Sequence, residues 1–169
     1  MDDKILILES QIRECYGRVF YAHACHEKQI QKYIKCDNRT KIVQIIMSAL
    51  IAGGIIGIIF KEDKFWVQVF TAIISVINLI ATSILKNFSF AELASCHSQI
   101  AAELIEIRED YLSLIVDLRI GKASIEEFLE RRDVIQSKLM AIYKRAPKTD
   151  HKSFLEAQKS IKNFKELTF

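Results

Sequence analysis

Five polar side chains stand out by their spacing: Gln68, Thr71, Ser75, Asn78 and Thr82. The steps between them are 3, 4, 3 and 4 residues, which places all five on one face of a helix. At 1.5 Å per residue that stripe is about 21 Å long. The opposite face carries Val69, Ile73, Val76 and Ile80, and Ser83 lies off the stripe. Amides and hydroxyls with no ionisable neighbour are poor catalysts but good hydrogen-bonding surfaces. Two readings stay open. In one the stripe is glue between helices, each pair worth about 0.6–2 kcal/mol. In the other it is a pore-lining wall, with several copies turning their stripes inward around water. Such a wall has no charged ring, so weak ion selectivity is expected.

Other chemistry-bearing residues form no recognisable active site. His23, Cys25, His26 and the Cys96–His97 pair could be imagined around a metal, but their spacing matches no standard zinc module. The remaining cysteines, Cys15 and Cys36, complete no C-x-x-C pair. Ser83-Ile-Leu-Lys86 fits S-x-x-K without its companion motifs. Glu103, Glu106, Glu109 and Asp110 read as a solvated helix face. No phosphate-cradling glycine loop and no nucleophile elbow occur, and no basic run interleaved with aromatics suggests direct nucleic-acid binding. The expectation is a non-enzyme without cofactor or metal.

The stripe is held by the chain's most apolar stretch. Residues 42–60 form 19 uncharged residues and residues 65–85 form 21, joined by Lys61, Glu62, Asp63 and Lys64. A bilayer core takes roughly 20 helical residues, so each run is long enough to cross. A soluble bundle would show a charged face on each run, and neither has one. A membrane strand needs only about 10 residues. The reading is a transmembrane helical hairpin. In its first span Ala49, Gly53 and Gly57 recur at four-residue steps, the pattern that admits another helix backbone closely.

The flanks read as helices. Residues 3–39 repeat Ile5, Leu8, Ile12, Cys15, Val19, His26, Ile30 and Tyr33 at near three-four spacing, and residues 89–120 do the same with Phe90, Leu93, His97, Ile100, Leu104, Ile107, Tyr111, Leu114 and Leu118. Gly121 is a plausible C-cap. Ser124 and Glu127 make a capping box for a helix to about residue 143. Pro147 breaks the chain, and Thr149 or Asp150 caps a last helix to about residue 164. The single proline and the absence of strand alternation give the fold class: an all-α membrane protein, a two-helix hairpin with long cytosolic helices forming an antiparallel stalk or bundle.

Charge orients the hairpin. Lys28, Lys32, Lys35, Arg39, Lys41 and Lys86 flank the spans, against Lys61 and Lys64 in the turn. The positive-inside rule then puts residues 1–41 and 86–169 in the cytoplasm, as a multi-pass inner-membrane protein with both termini inside. In the stalk, His26 and His97 fall at about one level on facing seams. They would either form a polar layer that fixes register or senses protons, or sit partly solvated at the edge. Residues 90–120 carry net −4 and residues 133–169 net +4. These could attract each other, the basic tail could meet anionic lipid, or both could be solvated faces.

A long N-terminal helix, a hairpin with a very short turn, a long returning helix, a capped helix and the segment IYKRAPKTDHKSFLEAQKSI (Ile142 to Ile161) occur in that order. This arrangement resembles the SLATT family, two-transmembrane effectors associated with SMODS nucleotidyltransferases and SLOG sensors, and is most similar to the branch often found beside reverse transcriptases. The resemblance spans nearly the whole chain as a single effector domain. It implies an antiphage or conflict effector that homo-oligomerises in the lipid bilayer and perforates it when a partner detects infection, an abortive outcome for the cell. That partner would be a cytosolic sensor, nucleotidyltransferase or reverse transcriptase encoded nearby. The alternative is a membrane-anchored interaction module that recruits a cytosolic partner without conducting.

Overall fold

The computed structural model describes residues 3–59, 65–87 and 89–167, without side-chain detail at 57–59, 85–87 and 164–167. Lys61 to Lys64, the expected turn, lie outside the described residues, as does the side chain of Lys86. The described residues form five helices: α1 (Asp3–Ile59), α2 (Phe65–Asn87), α3 (Phe90–Ile120), α4 (Ile125–Arg145) and α5 (His151–Leu167). They contain no strand. The chain divides into two compact units, one of Met1–Gln31 with Ser95–Phe169 and one of Lys32–Ala94.

The expected helix at 3–39 and span at 42–60 are one continuous helix of 57 residues. No glycine or proline interrupts the junction. Asp37 and Lys41 pair across one turn at 2.6 Å, and the Thr40 hydroxyl donates back to the Cys36 carbonyl at 2.8 Å. Such local pairs favour helix through a polar stretch that packing alone would not hold.

In the first unit, α1 contributes Leu8, Ile12, Cys15 and Val19 to the core. α3 contributes Ile100, Leu104, Ile107, Tyr111, Leu114 and Leu118, and α4 contributes Phe128, Ile135, Leu139 and Ile142. Tyr111 is fully buried, and its hydroxyl donates to Gln136 Oε1 at 2.9 Å. Burial therefore pushes the phenol's pKa up, since the anion would have to form away from water. α1 and α3 run antiparallel: Arg119 reaches Glu9 at 2.9 Å at one end and His97 meets His26 at the other.

α3 and α4 are also held by charge. Asp117 pairs with Arg131 at 2.9 Å, Asp110 with Lys138 at 3.3 Å, and Glu103 with Arg145. Both the acids and the bases step by seven residues, in opposite chain directions. The acidic segment around 90–120 thus neutralises part of the basic C-terminal segment.

The helix ends follow their residues. Gly121 takes φ +70°, and the amides of Gly121 and Lys122 cap the carbonyls of Leu118 and Asp117, each at 3.2 Å. This reversed-backbone cap suits glycine, which lacks the Cβ that clashes there. Ser124 caps α4 by accepting the Glu127 amide at 3.2 Å. Ala146, pushed extended by Pro147, closes it. Asp150 caps α5, accepting the Ser153 amide at 2.7 Å.

Candidate functional site

The hairpin stretches of α1 and α2 are both long and apolar enough to cross a membrane. None of the α1 stretch and only 6% of the α2 stretch is buried within the protein. Ile45, Trp66 and Leu79 are each more than two-thirds exposed. A soluble hairpin would hide such side chains; these face outward as lipid-contacting residues do.

The polar stripe faces the first span. Gln44 donates to the Thr82 hydroxyl at 3.0 Å, and Asn78 donates to the Ser48 hydroxyl at 3.5 Å. Residue numbers in each pair sum to 126, one antiparallel register. Nearly two turns further, Thr71 lies against Gly54, where an added Cβ would stand 2.3 Å from the Thr71 hydroxyl. Thr71, Ser75 and Thr82 also donate to the carbonyls of Val67, Thr71 and Asn78, each at 2.8 Å. Those hydroxyls are satisfied within their own helix, as apolar surroundings require. Gln68 is exposed. In this conformation, therefore, the stripe is used between the two spans of one chain, and Asn78 Oδ1 has no hydrogen-bond partner among the described residues.

The small residues divide between the inner and outer sides of the hairpin. Gly54, not Gly53, makes the close approach inside the hairpin. Gly53 and Ala49 are exposed, and nothing among the described residues stands within 4 Å of where a Gly53 side chain would begin. The reason is register: the bonds from Gln44 and Asn78 turn the Gln44–Met47–Ile51–Gly54 face towards α2. Ala49 and Gly53 fall roughly 140–180° away from it, on nearly the opposite side of the helix. Gly57 lies in α1, but its surroundings fall outside the described residues.

The first unit holds a second polar arrangement. His26 and His97 are buried, at 5% and 1% exposure, with their Nδ1 atoms 2.8 Å apart. They are not solvated edge residues; α1 and α3 close over them. One ring must donate its Nδ1 hydrogen to the lone pair of the other, so at most one of the two rings can be a cation while they are paired. Burial drives the His26 pKa down to about 4, and the neighbouring His97 and His23 add to the shift. Burial lowers His97 as well, against the pull of Asp150. Asp150 sits at the start of α5, where its amide donates to Gln29 Oε1 at 3.4 Å and Ser153 Oγ donates to the same oxygen at 2.6 Å. Cys25 is buried beside the pair, its thiol pKa raised by burial. Among the described residues no three His, Cys, Asp or Glu side chains converge to hold a metal ion. Sequence periodicity placed the two histidines at one level but could not foresee the Gln29–Asp150–Ser153 network, because α5 returns to α1 through a loop.

No curated protein and no solved structure matches the chain. A family description does, over residues 8–169 and so over nearly all of both units. Two apolar helices, an all-helical fold and this match agree: the chain belongs to the SMODS and SLOG-associating 2TM effector domain family 4, two-transmembrane effector domains of conflict and antiphage systems.

Proposed function

We propose that this protein is an oligomeric inner-membrane effector that opens a pore or otherwise breaches the bilayer once a partner signals infection. Its termini lie in the cytoplasm, where a sensor, nucleotidyltransferase or reverse transcriptase encoded nearby engages it. The observation that carries this reading is the polar face of the hairpin. Gln44, Ser48, Gln68, Thr71, Ser75, Asn78 and Thr82 distribute amides and hydroxyls along apolar helices. Apolar side chains would suffice to anchor a hairpin, and each polar group placed in hydrocarbon must find a partner. Two interhelical hydrogen bonds, at 3.0 and 3.5 Å, hold the face closed. Bonds of this kind contribute about 0.6 kcal/mol each on average, so turning the face towards water in an assembly costs little.

The second reading, an anchor whose cytosolic helices recruit a partner, is favoured by the same bonds taken as permanent glue. Recording membrane potential in bacteria expressing the chain with its genomic neighbours separates the two. The pore reading expects depolarisation on triggering, lost in the S75L/N78L variant while a Q44C/T82C disulfide still reports an intact hairpin. Absence of depolarisation in the wild type under every trigger, with the protein inserted, leaves the anchor.

A further inference from the structure

The outward face of α3 is apolar where a solvated helix should be polar. Ala102, Ile105, Leu112, Val116 and Ile120 are all exposed, Ile120 at 72%. With Glu109 they run at steps of 3, 4, 3, 4 and 4 residues. At 100° per residue this stripe lies roughly 160° from the stripe of Ile100, Leu104, Ile107, Tyr111 and Leu118 that fills the core. α3 therefore carries two seams on opposite sides, and only one is covered among the described residues. Steps of three and four are those of a coiled-coil seam, in which side chains from one helix enter holes on another.

The charges say what covers the second seam. Glu109 is the acidic member of the stripe, and Arg108 flanks it, Nη2 lying 2.7 Å from Glu109 Oε1. Two copies of α3 placed parallel and in register bring each Arg108 beside the other copy's Glu109. The face is then complementary to itself: apolar above and below, with a neutral four-charge cluster at the middle. The same face on a second copy matches both features at once. We infer that the outward face of α3, centred on Glu109 and Leu112, docks a second copy of this chain in parallel register. This deepens the oligomeric reading above and rests on it only for the requirement that copies meet in one membrane.

The test uses the full-length protein in native membranes, with Cys36 and Cys96 changed to serine. Leu112→Cys forms a disulfide-linked dimer under mild oxidation, whereas Asp110→Cys, turned roughly 110° from the middle of the seam, forms far less. Equal cross-linking at both positions, or none at Leu112→Cys, overturns the assignment. A charge swap adds a readout that does not depend on one variant folding. Arg108→Glu and Glu109→Arg each abolish self-association when expressed alone. Mixed with distinct tags, they recover it as hetero-dimers only. Failure of the mixture to pair, with both variants folded by circular dichroism, also overturns it. If the wild type depolarises cells but the seam does not cross-link, the seam is wrong and the effector reading stands. If the seam cross-links and no trigger depolarises cells, the reverse holds.

Discussion

His26 Nδ1 lies 2.8 Å from His97 Nδ1, inside the α1–α3 pair and out of reach of bulk water. The contact tolerates one ring hydrogen between the two nitrogens. A second ring cation would place like charges together without solvent. The pair is therefore an apolar-compatible joint at neutral pH and a strained one in acid.

That asymmetry sets a pH dependence. The folded pKa of His26 is about 4, below the roughly 6.5 of an unfolded histidine. The unfolded chain binds the extra proton between those values, so stability is full above about pH 6.5 and is lost as pH falls towards 4. The surrounding groups are His23 and Glu27 on α1, Arg108 on α3 and Asp150 before α5. Of these, Asp150 favours a charged His97 and so softens the loss. His26 contributes up to roughly 3 kcal/mol across that window. Melting temperatures measured from pH 7.5 to 5 in detergent should fall, and H26L/H97L should flatten the slope. An unchanged slope in that variant assigns the acid sensitivity elsewhere.

The hairpin offers two neighbouring glycines with opposite expected outcomes. Gly54→Leu drives a side chain into Thr71, where even a Cβ meets the hydroxyl at 2.3 Å. Overpacking of this kind typically costs about 1–3 kcal/mol. Gly53→Leu meets nothing within 4 Å and should leave the hairpin intact. Disulfide formation between cysteines placed at Ser48 and Asn78 reads this directly: reduced for Gly54→Leu, retained for Gly53→Leu, and restored when Thr71→Ala accompanies Gly54→Leu.

Tyr111 should be sensitive at both its ends. Tyr111→Phe leaves Gln136 without the hydroxyl that donates at 2.9 Å and should cost about 1 kcal/mol. Tyr111→Ala empties a fully buried site and should cost about 3–5 kcal/mol. Denaturant melts of the two variants should separate them clearly; similar losses would mean that the ring contributes little beyond its hydroxyl.

The α3–α4 ion pairs predict a reciprocal effect. Lys138→Glu opposes Asp110, now 3.3 Å from the lysine, and should cost about 0.5 kcal/mol, as exposed pairs do. Asp110→Lys added to it should recover the loss at low salt. Both differences should shrink in 1 M salt, where screening reaches about 3 Å. A loss that persists at high salt would point to packing instead.

Much of this architecture was legible because it is periodic. The apolar repeat from Phe90 to Leu118, the reversed cap at Gly121 and the box of Ser124 and Glu127 are local signals, and local hydrogen bonds realise them. The choice of Gly54 over Gly53 was not legible. It depends on one interhelical register, and three-four spacing leaves adjacent positions almost equivalent. The three acid–base pairs were only a net-charge difference in the sequence; which acid meets which base needed the antiparallel alignment of α3 and α4. Burial of His26 and His97 was likewise a matter of closure, since their level along each helix says nothing about how tightly the helices meet.

The seven-residue interval shared by Asp117, Asp110 and Glu103 with Arg131, Lys138 and Arg145 has a mechanical meaning. Leucine and isoleucine ridges nearly repeat every turn, so α4 could slide along α3 by three or four residues and still bury oil against oil. Sliding by that amount parts all three pairs at once, and at best one cation meets Glu106 instead. A displacement of seven residues, about 10.5 Å, restores two of the three pairings and leaves one cation over. The charges act as a vernier, allowing a single alignment among several that greasy contact alone would accept.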